Sequence, residues 1–221
     1  MCLKINEIFK SIQGEGIYQG HVAVFLRLSG CTRQCTWCDT KQHTKYKEMD
    51  INEVVDSVQV VLRKNPTGTW ISVPIVLTGG EPLLYSKHFE ELTSRFPNPF
   101  HIETNGDLIG SLKQYDKVLA PYFDYVCISP KDVKTAKRVS RIIKGVEERR
   151  FTYAVDIKVV TDLKSVGVDI LKYATMLMPY TTYNYKKDLE TKQRVWDYCV
   201  DHNLKYSARL HVEVWKQTKR K

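Results

Sequence analysis

Short β-rich runs alternate with helical patterns along this chain, and that alternation narrows the folds open to it more than any other feature. The runs fall at residues 5–9, 23–28, 74–78, 100–103, 125–129, 154–160 and 175–179, with a last one at 206–212. Asp50 reads as a helix N-cap with Glu53 as its capping-box partner, and Val54, Val55, Val58, Val61 and Leu62 follow at helical spacing. Further helical patterns cover 87–95, 135–144, 162–171 and 187–203, with Asp162 placed to cap its own segment. Apolar strands alternating with helices predict an α/β protein with a mainly parallel sheet. No repeat, low-complexity tract or composition break interrupts the 221 residues, which are 43% hydrophobic, so 1–221 reads as a single domain.

The polar and glycine-rich clusters sit directly after predicted strands. A cysteine loop follows 23–28, Thr78-Gly79-Gly80-Glu81-Pro82 ends 74–78, Glu103-Thr104-Asn105-Gly106 ends 100–103, and Ser129-Pro130-Lys131 ends 125–129. In parallel α/β folds the loops beyond the carboxyl ends of strands build the active site. Four such clusters therefore face one common site. For Glu103–Gly106 a plain turn is the alternative, since Asn-Gly is a turn dipeptide.

Of six cysteines, at 2, 31, 35, 38, 127 and 199, three lie within eight residues in a C-x3-C-x2-C pattern. A secreted disulfide framework spreads its cysteines and belongs to smaller chains, so a tight cluster points to a metal or redox site. Structural zinc and ordinary iron–sulfur sites take four ligands; three thiolates leave one metal position open. Two alternatives remain: zinc with His43 as fourth ligand, or a dithiol redox pair at Cys35 and Cys38, which leaves Cys31 unexplained. Cys2, Cys127 and Cys199 are isolated and read as core or surface thiols.

The net charge of +9 is scattered, with acidic residues interleaved nearly everywhere; only 131–150 and the tail 216–221 look basic. A nucleic-acid binder is one reading; an anionic small substrate or a solvated surface explains the charge as well. No apolar run approaches the roughly 20 residues a membrane helix needs. The first 16 residues lack the apolar stretch of a signal peptide, so a cytoplasmic location is expected.

The cysteine pattern, with the aromatic Trp37 before its last member, resembles the signature of the radical S-adenosylmethionine (SAM) superfamily. The resemblance implies that Cys31, Cys35 and Cys38 hold three irons of a four-iron, four-sulfur (4Fe–4S) cluster, whose open iron chelates the amino and carboxylate groups of SAM. Reductive cleavage then gives methionine and a 5′-deoxyadenosyl radical. The implied SAM contacts are Trp37, Gly79, Gly80 and Glu81, the last near the amino group. Thr104, Asn105 and Ser129 belong to the strand ends that meet the ribose, and Lys131 to the carboxylate.

Ser11-Ile12-Gln13-Gly14-Glu15-Gly16, then Phe25-Leu26-Arg27-Leu28-Ser29-Gly30-Cys31 and Trp37-Cys38-Asp39-Thr40, is similar to the 7-carboxy-7-deazaguanine synthase family. That resemblance implies a partial (β/α) barrel, shortened relative to a full TIM barrel, and a homodimer. It implies conversion of 6-carboxy-5,6,7,8-tetrahydropterin to 7-carboxy-7-deazaguanine with loss of ammonia, and Mg²⁺ at Thr40. A reductant protein such as flavodoxin is the expected partner, with no direct nucleic-acid or membrane partner. Arg27 offers a forked donor for the substrate carboxylate. Gln13, Glu15 and Gly16 would read the pterin edge, Thr78 would line the site, and His211, on the last predicted strand, would close over the substrate. Two rival readings are an activase that installs a glycyl radical on a partner protein and a zinc-dependent RNA-binding module.

Overall fold

The computed structural model describes residues 2–36, 38, 45–63, 73–148 and 154–216. Trp37, Asp39, Thr40 and His43 lie outside the described residues. In chain order the elements are β1 (Leu3–Ile12), β2 (Val22–Leu28), β3 (Lys47–Met49), α1 (Ile51–Arg63), β4 (Ile75–Gly79), α2 (Phe89–Thr93), β5 (Phe100–Thr104) and α3 (Leu112–Val118). They continue with β6 (Tyr125–Ile128), α4 (Val133–Glu148), β7 (Ala154–Thr161), β8 (Met176–Pro179), α5 (Tyr185–His202), β9 (Lys205–Tyr206) and α6 (Leu210–Trp215).

Among the described residues the nine strands make one sheet, in the order β3-β1-β2-β4-β5-β6-β7-β8-β9. From β2 onward every pairing is parallel, while β1 and β3 add as an antiparallel edge. The terminal strands β3 and β9 do not pair with each other, so the sheet stays open, as a shortened barrel requires. Strand β7 turns the corner: residues 154–157 pair with β6 and residues 158–161 with β8.

Side chains alternate across a strand, and here the two faces differ sharply in chemistry. Leu26, Ile75, Leu77, Ile102, Val126, Ile128, Ile157 and Val159 point outward. They form one apolar core with Val54, Val55 and Val58 of α1, Phe89 and Leu92 of α2, and Val139, Ile142 and Ile143 of α4. The intervening positions carry Arg27, Thr78, His101, Glu103, Tyr125, Cys127, Asp156 and Lys158 on the concave face.

The predicted capping box of α1 is present in both directions: Asp50 N donates to Glu53 Oε2 and Glu53 N to Asp50 Oδ1, each at 2.9 Å. The predicted helix at 162–171 is not formed. The Asp162 carboxylate instead gathers the backbone N–H groups of Lys164, Ser165 and Val166 at 2.8–2.9 Å. Leu163 and Gly167 adopt φ of 59° and 69°, which a helix cannot contain, and only a 3₁₀ segment at Val168–Tyr173 follows. The pattern at 87–95 divides into a 3₁₀ segment, Pro82–His88, and the short α2.

The predicted strand at 206–212 is also corrected. β9 ends at Tyr206: Ser207 N still donates to Leu177 O of β8 (2.8 Å), but the donors beyond it turn to the β1–β2 loop, Ala208 N to Gln19 Oε1 (3.0 Å) and Leu210 N to Gly14 O (2.9 Å). The chain then winds into α6, so His211 lies on a helix. Among the described residues no helix is long and apolar enough to cross a membrane.

Candidate active site

The loops after β2, β4, β5 and β6 meet, as parallel strands demand. The Gly-Gly-Glu-Pro turn is fastened to the start of the cysteine loop by Gly80 N to Leu28 O (3.0 Å) and Glu81 N to Gly30 O (2.8 Å). A Cβ on Gly80 would stand 1.7 Å from Gly30 O, and one on Gly79, at φ 119°, 2.1 Å from Leu28 O. Both positions need glycine because two backbones touch there.

Glu81 is fully buried and its carboxylate is engaged. Oε1 accepts from Leu83 N (3.0 Å) and Thr104 Oγ1 (2.6 Å), and Oε2 from Asn105 N (2.8 Å). Burial pushes this carboxyl above its ordinary range, against the pull of those hydrogen bonds. Glu81 thus laces the end of β4 to the end of β5. Asn105 carries the lacing onward: its Nδ2 donates to Thr32 Oγ1 (2.9 Å) and lies 3.8 Å from Cys31 Sγ. Ser129 N donates to Thr104 O (2.7 Å), and Lys131 Nζ to Ser129 Oγ (2.6 Å).

Arg33, inside the cysteine loop, was not singled out by its sequence context. Its Nε and Nη2 grip Asp107 at 2.6 and 2.5 Å, and Nη2 also contacts Asp132, the cap of α4. Thr32 Oγ1 adds a bond to Asp107 (2.9 Å), and Arg138 holds the carbonyls of Gly106 and Asp107 at 3.1 Å. Burial would raise both aspartates; Arg33 holds Asp107 below its usual value, and the Thr135 backbone N–H, with Arg33, does the same for Asp132. The loop that bears the cysteines is therefore clasped to β5 and β6. Cys31, Cys35 and Cys38 form no disulfide, and each is partly exposed. Three soft thiols on one anchored loop, with an amide N–H near one sulfur, suit an iron–sulfur cluster.

A second cluster lies on the concave face, reached through β5, whose Glu103 immediately precedes Thr104 and Asn105. Lys158 of β7 places Nζ 2.7 Å from Glu15 Oε2 and 2.8 Å from Glu103 Oε2. Glu15 Oε1 faces Arg209 Nε (3.3 Å) and His211 Nε2 (3.8 Å). Burial alone would raise the Glu15 carboxyl, but Lys158, Arg209 and His211 overcome it and hold that group well below the usual carboxylate range. Gly14 lets α6 come close: a Cβ there would stand 2.1 Å from His211 Nδ1. Gly16 N donates to Ser207 Oγ at 2.8 Å.

Gln13 is buried, and its amide nitrogen has no hydrogen-bond partner among the described residues. Arg27 stands 3.4 Å from Glu7 of the neighbouring strand and lies over the Phe9 ring, beside Thr78 in register on β4. Deeper in the sheet, His101 packs against Tyr18 in a tilted pair (4.4 Å between centroids), and burial drops it to about pH 4, so it is neutral near pH 7. Tyr125 OH bonds Asp156 at 3.2 Å, and Asp156 binds Lys205 at 2.8 Å. A hollow of about 450 Å³ between α5 and β9, lined by Lys192, Gln193, Trp196, Asp197 and Tyr206, contains none of these groups.

The structure therefore joins Glu15 with His211, and Gly79, Gly80 and Glu81 with the cysteine loop. It adds Lys158, Arg209, Arg33, Asp107 and Asp132, and sets Glu103, named so far only within its strand-end cluster, against Lys158. Lys158 had a legible signal: with Asp156 it places two charges, two residues apart, in an otherwise apolar strand.

The profile of the Radical SAM superfamily matches residues 26–191. The 7-carboxy-7-deazaguanine synthase of Pyrobaculum aerophilum is 31% identical over 234 residues, 96% of this chain and 95% of that protein. The 7-carboxy-7-deazaguanine synthase of Methanothermobacter thermautotrophicus is 31% identical over 84% of this chain and 73% of its own length. The crystal structure of QueE from Escherichia coli shares the fold, with a TM-score of 0.60 at 21% identity, covering 96% of this chain and 95% of that one. Neither the zinc module nor the glycyl-radical activase gains support from these similarities. The chain belongs to the radical SAM superfamily and, within it, to the 7-carboxy-7-deazaguanine synthases.

Proposed function

We propose that this chain, as a single radical SAM domain over 1–221, converts 6-carboxy-5,6,7,8-tetrahydropterin to 7-carboxy-7-deazaguanine with release of ammonia. The product would feed queuosine or related 7-deazapurines. The observation that carries the reading is the convergence of Glu15 from the N-terminal loop with Arg209 and His211 from the C-terminal segment, on the concave face just below the end of β5.

In this reading Cys31, Cys35 and Cys38 hold the cluster, which with SAM supplies a radical able to take a hydrogen atom from the substrate. Gly79 and Gly80 bring backbone to the SAM side, and Asn105, Ser129 and Lys131 offer polar groups around it. Glu81 serves this site through Thr104 and Asn105, since its own oxygens are engaged by protein. Gln13, with an unspent buried donor, and Glu15 read the pterin ring; Gly16 and Thr78 shape the wall. Arg27, poised beside Glu7, binds the substrate carboxylate, and His211 closes the site from α6. Trp37 would pack on SAM and Thr40 would ligate Mg²⁺, a hard cation suited to hydroxyl, carboxylate and water oxygens. An acidic one-electron carrier such as flavodoxin and a homodimeric assembly complete the proposal.

The test is anaerobic reconstitution with iron and sulfide, then incubation with SAM, Mg²⁺, dithionite and carboxytetrahydropterin. Product with the deazaguanine absorbance is expected. A reconstituted protein that cleaves SAM but leaves the pterin untouched would overturn the substrate assignment.

A further inference from the structure

The concave-face cluster has an asymmetry that bears on substrate recognition, an inference resting on the function proposed above. Lys158 is 4% exposed, whereas the two carboxylates it holds, Glu15 and Glu103, keep 22% and 26% of their side-chain surface. The cation lies behind and the acceptors lie in front. Both carboxylate oxygens stand within 2.8 Å of one nitrogen. Two carboxylates that close do not both stay ionised without a cation between them.

We infer that Lys158 is a positioning residue for substrate specificity: it keeps Glu15 and Glu103 side by side as an acceptor-only pair that selects a ligand edge rich in N–H donors. A 2-amino-pyrimidinone edge, as in a pterin, meets that pair with an N–H for each carboxylate. An edge that presents a carbonyl meets an acceptor instead and is rejected, because a buried polar group left unpaired is costly.

The groups around Lys158 support this division of labour. From β5 comes Glu103, from the β1–β2 loop Glu15, and from β6 Cys127, whose thiol burial keeps protonated. Arg209 and His211 approach the other oxygen of Glu15 from the C-terminal segment. On β7 itself Asp156 is committed to Lys205 and to Thr175 Oγ1 (2.7 Å). Burial works against the Lys158 ammonium, but the anionic neighbours outweigh it and keep the group charged.

The experiment compares reconstituted wild type, Lys158→Met and Lys158→Arg, with the cluster EPR spectrum as a check on folding. For K158M the KM for carboxytetrahydropterin rises about tenfold or more with a smaller change in kcat. The acid limb of its kcat/KM profile moves to higher pH, because Glu15 now takes up a proton more readily. K158R, which restores the charge, keeps the wild-type limb. A K158M profile superimposable on wild type, or a displaced limb in K158R, overturns the inference. A second arm does not need turnover: ¹³C NMR titration of Glu carboxyls in the cluster-free protein, with Glu15 assigned through E15Q. Glu15 titrating at higher pH in K158M supports the inference, and an unchanged titration overturns it. Absence of any pterin turnover by wild type would instead count against the substrate assignment.

Discussion

Glu81→Gln separates two roles for the Gly-Gly-Glu-Pro turn. If the glutamate binds SAM directly, the substitution should weaken SAM and leave the protein as stable as before. The structure requires the opposite. The amide oxygen of glutamine can take the place of Oε1 and keep the bonds from Leu83 N and Thr104 Oγ1, but its NH₂ then faces Asn105 N, donor against donor. A buried hydrogen bond is lost and its donors are left unpaired, which costs about 2 kcal/mol. For a chain of this size that corresponds to a Tm lowered by about 4–8 °C. Glu81→Ala loses all three bonds and should cost about 3–6 kcal/mol. The assay is calorimetric unfolding of the cluster-free proteins, paired with titration of SAM into the reconstituted ones. SAM affinity should fall only as far as Asn105 and the cysteine loop are displaced. A Tm within a degree of wild type, together with abolished SAM binding, would refute the lacing role and return Glu81 to the ligand sphere.

Other consequences follow from the same contacts. Gly80→Ala forces the turn away from Gly30 O, breaking two backbone bonds at an overpacking cost of about 1–3 kcal/mol; iron retained after reconstitution should drop while far-UV CD stays near wild type. Arg33→Met leaves Asp107 and Asp132 facing each other without a cation; because both are partly exposed, the stability loss should be only about 1–2 kcal/mol. Chelators should nevertheless strip iron from R33M faster than from R33K, and equal rates would count against the clasp. For Glu15 the folded-state carboxyl lies below its unfolded value, so its stabilisation is present above about pH 4.3 and is lost as pH falls below that. Urea midpoints taken from pH 6 to pH 3.5 should therefore fall more steeply in wild type than in Glu15→Gln, and parallel curves would contradict the cationic cage.

What the sequence disclosed and what it withheld divides along the range of the interactions. Strands β2, β4, β5, β6 and β7 were legible because each buries alternate apolar residues against helices, a local period. The cap of α1 was legible because Asp50 and Glu53 satisfy each other three residues apart. The cysteine loop and the three strand-end motifs were brought together by topology alone, since parallel strands send their carboxyl ends to one side. The failures have two sources, partners far away in the chain and a local side-chain turn that displaces a helix. Residues 206–212 alternate like a strand, yet Ala208 and Leu210 donate to Gln19 and Gly14, nearly the whole chain length away. Segment 162–171 has the composition of a helix, but one carboxylate gathers three successive N–H groups and left-handed residues follow.

Strand β5 shows why the two halves of the site cannot be designed apart. Its last residues, Glu103 and Thr104, alternate faces, and Asn105 begins the loop beyond them. Glu103 therefore meets Lys158 on the concave face, Thr104 meets Glu81 at the strand end, and Asn105 reaches Thr32 beside Cys31. A shift of this strand end would move the substrate-facing carboxylate and the support of the cysteine loop together. Glu81→Gln and Lys158→Met act on neighbouring residues of that strand end and share it as a partner, so their effects should not add. In the double variant the loss of substrate affinity should differ from the sum of the single losses, in free energy, by about 0.5 kcal/mol or more. Strict additivity would mean that the cluster side and the substrate side respond independently, and that β5 does not couple them.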